Sequence, residues 1–186
     1  MSRYQIALVV GSLRKQSFNR MLAGAVVKLA PPELALRYLE IGDLPLYNQD
    51  DDAEQHPNVR RLKAEITACQ GLLFVTPEYN RSIPGVLMNA LDHASRPHGH
   101  NAWAGKPAGV IGISVGAQGT AMAQQHLRCM LAYLEVPTLG QPEVFIQFKE
   151  GLFDQAGEIG DSATRDFLRG WMKRYVAWIK RFTSPA

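Results

Sequence analysis

The sequence predicts an α/β fold in which one parallel five-stranded sheet is covered by helices on both faces. Short apolar runs alternate five times with longer stretches whose apolar residues recur at helical spacing. This alternation is typical of strand–helix–strand units. The apolar runs are continuous, as expected for strands that are buried on both faces of a parallel sheet. Right-handed crossovers between successive strands then place helices on both faces.

Five segments are predicted to be strands because they are short, apolar and bounded by turn-forming residues. The second begins shortly after the pair Pro31-Pro32, and glycines in the fourth blur the position of its ends. In chain order the predicted strands are Ile6–Val10, Leu34–Ile41, Gly71–Thr76, Pro107–Val115 and Val144–Phe148.

The segments between the strands carry apolar stripes that predict helices with one face toward the core. These helices are Arg20–Leu29, Pro57–Cys69, Gly85–Ser95, Thr120–Leu134 and Thr164–Phe182. Phe167 is assigned to the core-facing stripe of the last one, and Cys69 and Cys129 are predicted to be buried free thiols. The remaining long segment, 42–58, is an acidic loop for which a functional role and a solvated excursion are both open.

Length and composition predict a single domain over residues 1–186 in the cytoplasm. The start of the chain lacks the pattern of a signal peptide, and no segment approaches the ~20 apolar residues of a membrane span. A net charge of +3 without a basic stripe argues against nucleic acid as a partner. Two cysteines cannot ligate an iron–sulfur cluster, and the histidines near His98 lie in a flexible loop, so no metal is expected.

The segment Gly11–Asn19 combines a strand end, a turn rich in hydroxyl and amide groups, and a helix start. Backbone N–H groups and the helix dipole favour negative charge at such a point. A mononucleotide phosphate held by Ser12, Ser17, Asn19 and backbone amides, with help from Arg14, fits this pattern. An ordinary loop whose Ser17 or Asn19 merely caps the helix remains open as well.

Two other phosphate motifs are excluded at this position. A Walker A loop needs a second glycine followed by Lys and Ser or Thr, and Gly11 has no such partner. A dinucleotide fingerprint needs three glycines, but Leu13 and Gln16 stand where the second and third should fall.

Two further loops should meet the first one, because ligands bind beyond the carboxyl ends of parallel strands. The loop after the third strand has Tyr79 to pack on a planar ligand and Asn80 to bond the edge of its ring. Backbone amides around Glu78 add further donors, and glycines such as Gly116 in the loop after the fourth strand permit close approach. A phosphate at one end and a flat polar-edged ring at the other describe FMN.

Two motifs of this chain resemble those of the NADPH-dependent FMN reductase family. The first is Gly11-Ser12-Leu13-Arg14 with Ser17 and Asn19, and the second is Pro77-Glu78-Tyr79-Asn80 with Ser82, Pro84-Gly85, Asn89-Ala90 and Asp92. The resemblance extends from the first strand to at least Leu134, and its nearest branch is the quinone and chromate reductases. Met88 and Arg81 depart from the family pattern, since many relatives carry Lys at 88 and some an aromatic residue at 81.

The resemblance implies a flavodoxin-like fold with strand order 2-1-3-4-5 and bound FMN. Its implied phosphate and ribityl residues are Gly11, Ser12, Leu13, Arg14, Ser17, Phe18 and Asn19. Those implied around the isoalloxazine ring are Pro77, Glu78, Tyr79, Asn80, Arg81 and Ser82, with Ser114 and Gly116 from the third loop.

The implied activity is a two-electron, ping-pong transfer from NADPH or NADH to a quinone or similar acceptor, with hydride passing through flavin N5. No catalytic side chain is expected, since the flavin carries the chemistry. The resemblance also implies a homodimer or homotetramer. Three alternatives stay open: a reductase of azo or nitro compounds or chromate, a non-enzymatic one-electron carrier of the flavodoxin type, and a flavin-dependent sensor without physiological turnover.

Overall fold

The computed structural model describes residues 3–184 and contains the predicted parallel sheet. Its five strands pair in the order β2-β1-β3-β4-β5, and every pair is parallel. The strands are β1 (Tyr4–Val10), β2 (Leu34–Tyr38), β3 (Gly71–Val75), β4 (Ala108–Ser114) and β5 (Val144–Gln147). This order confirms the flavodoxin-like topology that the resemblance implied.

Five α-helices cover the sheet: α1 (Phe18–Leu29), α2 (Pro57–Thr67), α3 (Gly85–Ser95), α4 (Ala121–Tyr133) and α5 (Ser162–Ile179). Helices α1 and α5 pack on one face, and α2, α3 and α4 pack on the other. Alternate residues of the central strands serve the two faces: Leu73 and Val75 belong to the first core, Leu72 and Phe74 to the second. Because both faces are buried, the strands show the continuous apolar runs seen in the sequence.

Two sequence predictions need correction. Cys129 is exposed, whereas Cys69 is buried as predicted. Phe167 is also exposed, because it lies one position before Leu168 and is therefore rotated by about 100° from the buried stripe of α5. The acidic loop is partly ordered, since it contains a short 3-10 helix over Gln49–Glu54.

The start of the acidic loop is fastened to α3. Asn89 accepts a hydrogen bond from Tyr47 N at 2.8 Å and donates one to Pro45 O at 2.8 Å. His93 Nε2 also lies 2.9 Å from Pro45 O. The side chains of Asn89 and His93 therefore stabilise the position of this loop on α3. Within residues 3–184, no helix has the length and apolarity needed to cross a membrane.

Candidate functional site

Three loops emerge at the same edge of the sheet. The pairing register aligns β1, β3 and β4 at this edge: Val10 pairs with Val75, and Val75 pairs with Ile111. We name these segments the first loop (11–17), the second loop (76–84) and the third loop (115–120), which follow β1, β3 and β4. Parallel pairing thus brings together the three loops that the sequence nominated.

The first loop begins with a tight backbone contact at Gly11. Its N–H donates to Val75 O at 2.9 Å. A Cβ at this position would lie 3.2 Å from Thr76 Oγ1 and 3.3 Å from Leu87 Cδ2. A Cβ here would require these two side chains to shift, so glycine fits a close approach here.

The first loop presents unused backbone donors. In the part of the chain that the structure describes, no N–H from Ser12 to Asn19 donates a hydrogen bond of standard geometry to another residue. Ser12 and Ser17 are buried, and the first turn of α1 contains no acidic residue. Free amides at a helix N-terminus without a competing carboxylate form an anion site.

Ser17 also caps α1, because its hydroxyl oxygen accepts a hydrogen bond from Arg20 N at 3.2 Å. The capping interpretation of the sequence is therefore correct for Ser17. It does not compete with anion binding, since the amides of the loop itself stay free. Leu13 and Arg14 are exposed at the rim.

Two of the residues implied for the phosphate and ribityl chain have side chains engaged elsewhere. Asn19 is buried, donates to Ile113 O at 2.9 Å and accepts from Ile113 N at 3.1 Å. The Phe18 ring stacks on Phe148 with centroids 3.8 Å apart, and the Arg14 guanidinium lies 5.2 Å from its centroid. These contacts position the loop, while the backbone amides of Phe18 and Asn19 remain available to a ligand.

The second loop contains a two-residue hairpin. Tyr79 and Ser82 exchange both backbone hydrogen bonds at 3.0 Å, and the residues between them, Asn80 and Arg81, have φ of 51° and 65°. Positive φ at both central positions is the geometry of a type I′ turn. The turn leaves the Tyr79 ring half exposed, with 50% of its surface accessible.

Side chains of the second loop reach across to the third loop and α4. Glu78 Oε2 accepts from Met122 N at 3.0 Å and from Ala123 N at 3.1 Å. Arg81 donates to Gln118 Oε1 at 3.0 Å. Ser82 Oγ lies 3.1 Å from His126 Nδ1. These contacts hold the second loop against the third loop and α4. We call the space bounded by the three loops the crevice.

The third loop folds on itself through Ser114, whose hydroxyl donates to Gly119 O and accepts from Gly116 N at 3.2 Å. Gly119 has φ +59°, and a Cβ there would lie 2.9 Å from Phe145 C. Gly116 is open, since the nearest atom to its Cβ position would be Ser114 Oγ at 3.5 Å. The base of the loop is thus held by Ser114, and Gly116 adds no side chain to the loop.

Sequence reasoning missed several residues that shape this site. Thr76 and Thr120 are fully buried, and a Cβ on Gly112 would lie 2.1 Å from Thr120 Oγ1 and 2.4 Å from Thr76 O. Gln118 and Met122 act as partners of the second loop. None of them stands in a recognisable motif, because their roles arise from contacts between distant segments.

The residues present fit FMN. Free amides of the first loop match a phosphate, and the exposed Tyr79 ring with the open Gly116 tip leaves room for a flat ring. Within residues 3–184, no group of three or more His, Cys, Asp or Glu side chains is arranged to hold a metal ion.

Comparison with known proteins decides the family. The family model described as NADPH-dependent FMN reductase matches residues 4–151. The chain belongs to this family. Its matched region contains β1 to β5 and all three loops, so the two motifs lie inside the part that carries the family pattern.

Two relatives are similar in sequence to this chain over nearly its full length. A 2-hydroxy-1,4-benzoquinone reductase of a Burkholderia species is 51% identical, covering 95% of this chain and 96% of the relative. A quinone reductase of Escherichia coli K12 is 37% identical, covering 96% of this chain and 97% of the relative.

Solved structures support the fold. FerB of Paracoccus denitrificans, described as a flavoenzyme NAD(P)H:(acceptor) oxidoreductase, superposes with a TM-score of 0.93 at 42% identity. The superposition covers 96% of this chain and 98% of FerB. A mutant flavodoxin of Pseudomonas aeruginosa superposes with a TM-score of 0.60 at 20% identity, over 95% and 99% of the two chains, which shows the shared fold alone. This FMN reductase family member is therefore an NAD(P)H-dependent, FMN-containing oxidoreductase with a flavodoxin-like fold.

Proposed function

We propose that this protein reduces quinones by two electrons, taking hydride from NADPH or NADH. The reaction consumes NAD(P)H, a proton and a quinone and yields NAD(P)⁺ and the hydroquinone. The observation that carries the proposal is the run of unused amides from Ser12 to Asn19 at the same edge of the sheet as the half-exposed Tyr79. The benzoquinone and quinone reductases among the relatives support the choice of acceptor.

The first loop would bind the phosphate of FMN. Its amides and the Ser12 hydroxyl would donate to the phosphate oxygens, and the α1 dipole would favour the negative charge. Ser17 caps the helix, and Arg14 adds positive charge at the rim. Asn19 holds this loop at its correct distance from β4 through Ile113.

The second and third loops would hold the ring. Tyr79 would pack against it, and the amides of Glu78, Asn80 and Arg81, which donate to none of the described residues, would bond its polar edge. Donors placed at the ring edge stabilise negative charge that develops there. Because Gly116 has no side chain, the third loop would leave space for a flat acceptor to approach.

FMN, when bound, would supply the hydride and two-electron chemistry. The residues of the chain therefore bind, orient and exclude water, and none needs to act as a nucleophile. Donor and acceptor would use the same open face in turn, which gives ping-pong kinetics.

The phosphate assignment can be tested with riboflavin, which lacks the phosphate. We expect FMN to bind at least about 100-fold more tightly than riboflavin, because several charge-assisted hydrogen bonds would be lost. Equal affinity of the two flavins, measured by fluorescence quenching, would show that the first loop does not bind the phosphate.

We also propose that the protein assembles as a homodimer or homotetramer. Exposed apolar side chains lie on three segments beside the crevice: Tyr79 on the hairpin, Met88 on α3 and Met122 on α4. Exposed apolar groups close together mark interaction surfaces. Sedimentation equilibrium of the wild type and of Met88→Glu tests this, since the variant should dissociate; a wild-type monomer would refute it.

A cytoplasmic location is the remaining part of the proposal. Both cysteines are free in the structure, which suits a reducing compartment. Fractionation of the source cells, with NADPH-dependent quinone reduction as the marker, checks the location.

A further inference from the structure

We infer that Glu78 is a positioning residue that fixes the hairpin of the second loop by capping helix α4 from a distance. The inference rests on the proposed FMN site. Its backbone amide is expected to face the ring, whereas its carboxylate is engaged with the backbone of α4. Its effect on the cofactor would therefore pass through the hairpin.

Helix α4 has no cap of its own. Its N-cap residue, Thr120, makes no capping hydrogen bond with its side chain, and the first turn carries no acidic residue. The Thr120 hydroxyl instead accepts from Gln124 Nε2 at 2.9 Å. The first amides of a helix lack partners within the helix, so α4 needs an acceptor from elsewhere.

Glu78 supplies that acceptor from 44 and 45 residues away. One oxygen accepts from both Met122 N and Ala123 N, and only 12% of the side chain is exposed. The other oxygen lies 4.0 Å from Arg81 Nη1. A carboxylate at a helix N-terminus is favoured by the dipole, and low exposure reduces screening by water.

The contact between Glu78 and α4 helps to fix the hairpin because Glu78 directly precedes it in the chain. Asn80 and Arg81 both have positive φ. Asn tolerates this conformation, but for Arg81 it costs energy and persists only when the surroundings impose it. The surroundings here are the Glu78 contact with α4 and the Arg81 bond to Gln118. Loss of the first contact should let the hairpin move and weaken its preorganisation for the ring.

The competing explanation is that Glu78 only stabilises α4. Asp161 provides a matched control, because its carboxylate caps α5 by accepting from Thr164 N at 2.7 Å. Asp161 belongs to the helix it caps and contacts none of the three loops. Replacing either carboxylate by the amide removes a charged helix cap, but only one replacement disturbs the hairpin.

The experiment compares the holoenzymes of wild type, Glu78→Gln, Glu78→Asp and Asp161→Asn. Three quantities are measured: the melting temperature, the rate of FMN release on dilution and the visible circular dichroism of bound FMN. We expect Glu78→Gln to release FMN about tenfold faster, with an altered dichroism band. Asp161→Asn should lose melting temperature without either change.

The result that overturns the inference is an unchanged release rate and dichroism band in Glu78→Gln. Equal changes in Glu78→Gln and Asp161→Asn would also overturn it, since they would follow stability alone. If Glu78→Gln does not fold, Glu78→Asp decides by the same criteria, because it keeps the charge but shortens the reach to α4.

Ser12→Ala separates failure of this inference from failure of the proposed site. If Ser12→Ala accelerates FMN release and the Glu78 variants do not, the site stands and the positioning role is wrong. If neither Ser12→Ala nor Tyr79→Ala affects release, FMN does not sit between these loops, and both proposals are wrong.

Discussion

Asn19 shows how a single buried side chain can set the geometry of the candidate site. It satisfies both the N–H and the C=O of Ile113, so the start of α1 is joined to the end of β4. The phosphate loop and the base of the third loop are thereby fixed relative to each other. The side chain of this motif residue is thus engaged in the connection, while its backbone amide stays available to a ligand.

Removal of that connection should be costly. Asn19→Ala leaves two buried backbone groups without partners, and we expect the free energy of unfolding to fall by about 3 kcal/mol in urea titrations. Ser17→Ala, which removes only a helix cap, should cost about 1 kcal/mol. Equal costs for the two variants would contradict the bridging role of Asn19.

Tyr79 should affect cofactor binding more than stability. Because its ring is half exposed, Tyr79→Ala should change the unfolding free energy little. Loss of ring packing on the flavin should weaken FMN binding about fivefold, measured by fluorescence titration. Tyr133→Ala, which removes a ring that is 84% exposed on α4, should leave the affinity unchanged. An unaffected affinity in Tyr79→Ala would place the ring site elsewhere.

At the level of elements, burial on both faces explains why the strands could be predicted from the sequence. The helix Gly85–Ser95 was predicted with its observed bounds, whereas the predicted strand 34–41 ends at Tyr38 because Tyr38 is the last residue paired with β1. Cys129 illustrates a limit of such prediction. It lies between the buried Leu127 and Leu131 in sequence but about 200° away from each around the helix.

The contact between α5 and β3 leads to a prediction about pH. Tyr175 is buried and donates to Leu72 O at 2.7 Å, and burial raises the pKa of its hydroxyl well above the ordinary 10.0. Tyr175→Phe should lower the unfolding free energy by about 1–2 kcal/mol at neutral pH, since the carbonyl loses its partner. Urea unfolding of both proteins measures the difference.

The same pKa shift fixes the direction of the pH effect. A pKa that is raised in the folded state contributes stability. This stability is fully present below the pKa of the group in the unfolded state and is lost as pH rises through its pKa in the folded state. The advantage of wild type over Tyr175→Phe should therefore shrink above about pH 10. A difference that grows with alkaline pH would show that the hydroxyl ionises readily in the folded protein.

For the whole molecule, the sequence predicted which loops would meet but not what holds them together. The three loops follow from strand order, since carboxyl ends of parallel strands share one edge. The ties between them join residues far apart in the chain: Asn19 with Ile113, and Glu78 with Met122. No local pattern signals such pairs, because either partner alone could equally face solvent or ligand.

The central claim is that FMN held in this crevice passes two electrons from NAD(P)H to a quinone. The most direct test is an anaerobic titration of the holoenzyme with NADPH, followed by 1,4-benzoquinone, while the visible flavin spectrum is recorded. We predict complete bleaching by one equivalent of NADPH per FMN and full return of the yellow colour with one equivalent of quinone. A protein that binds no FMN would contradict the claim. So would a bound flavin that NADPH does not bleach, or a bleached flavin that benzoquinone does not reoxidise.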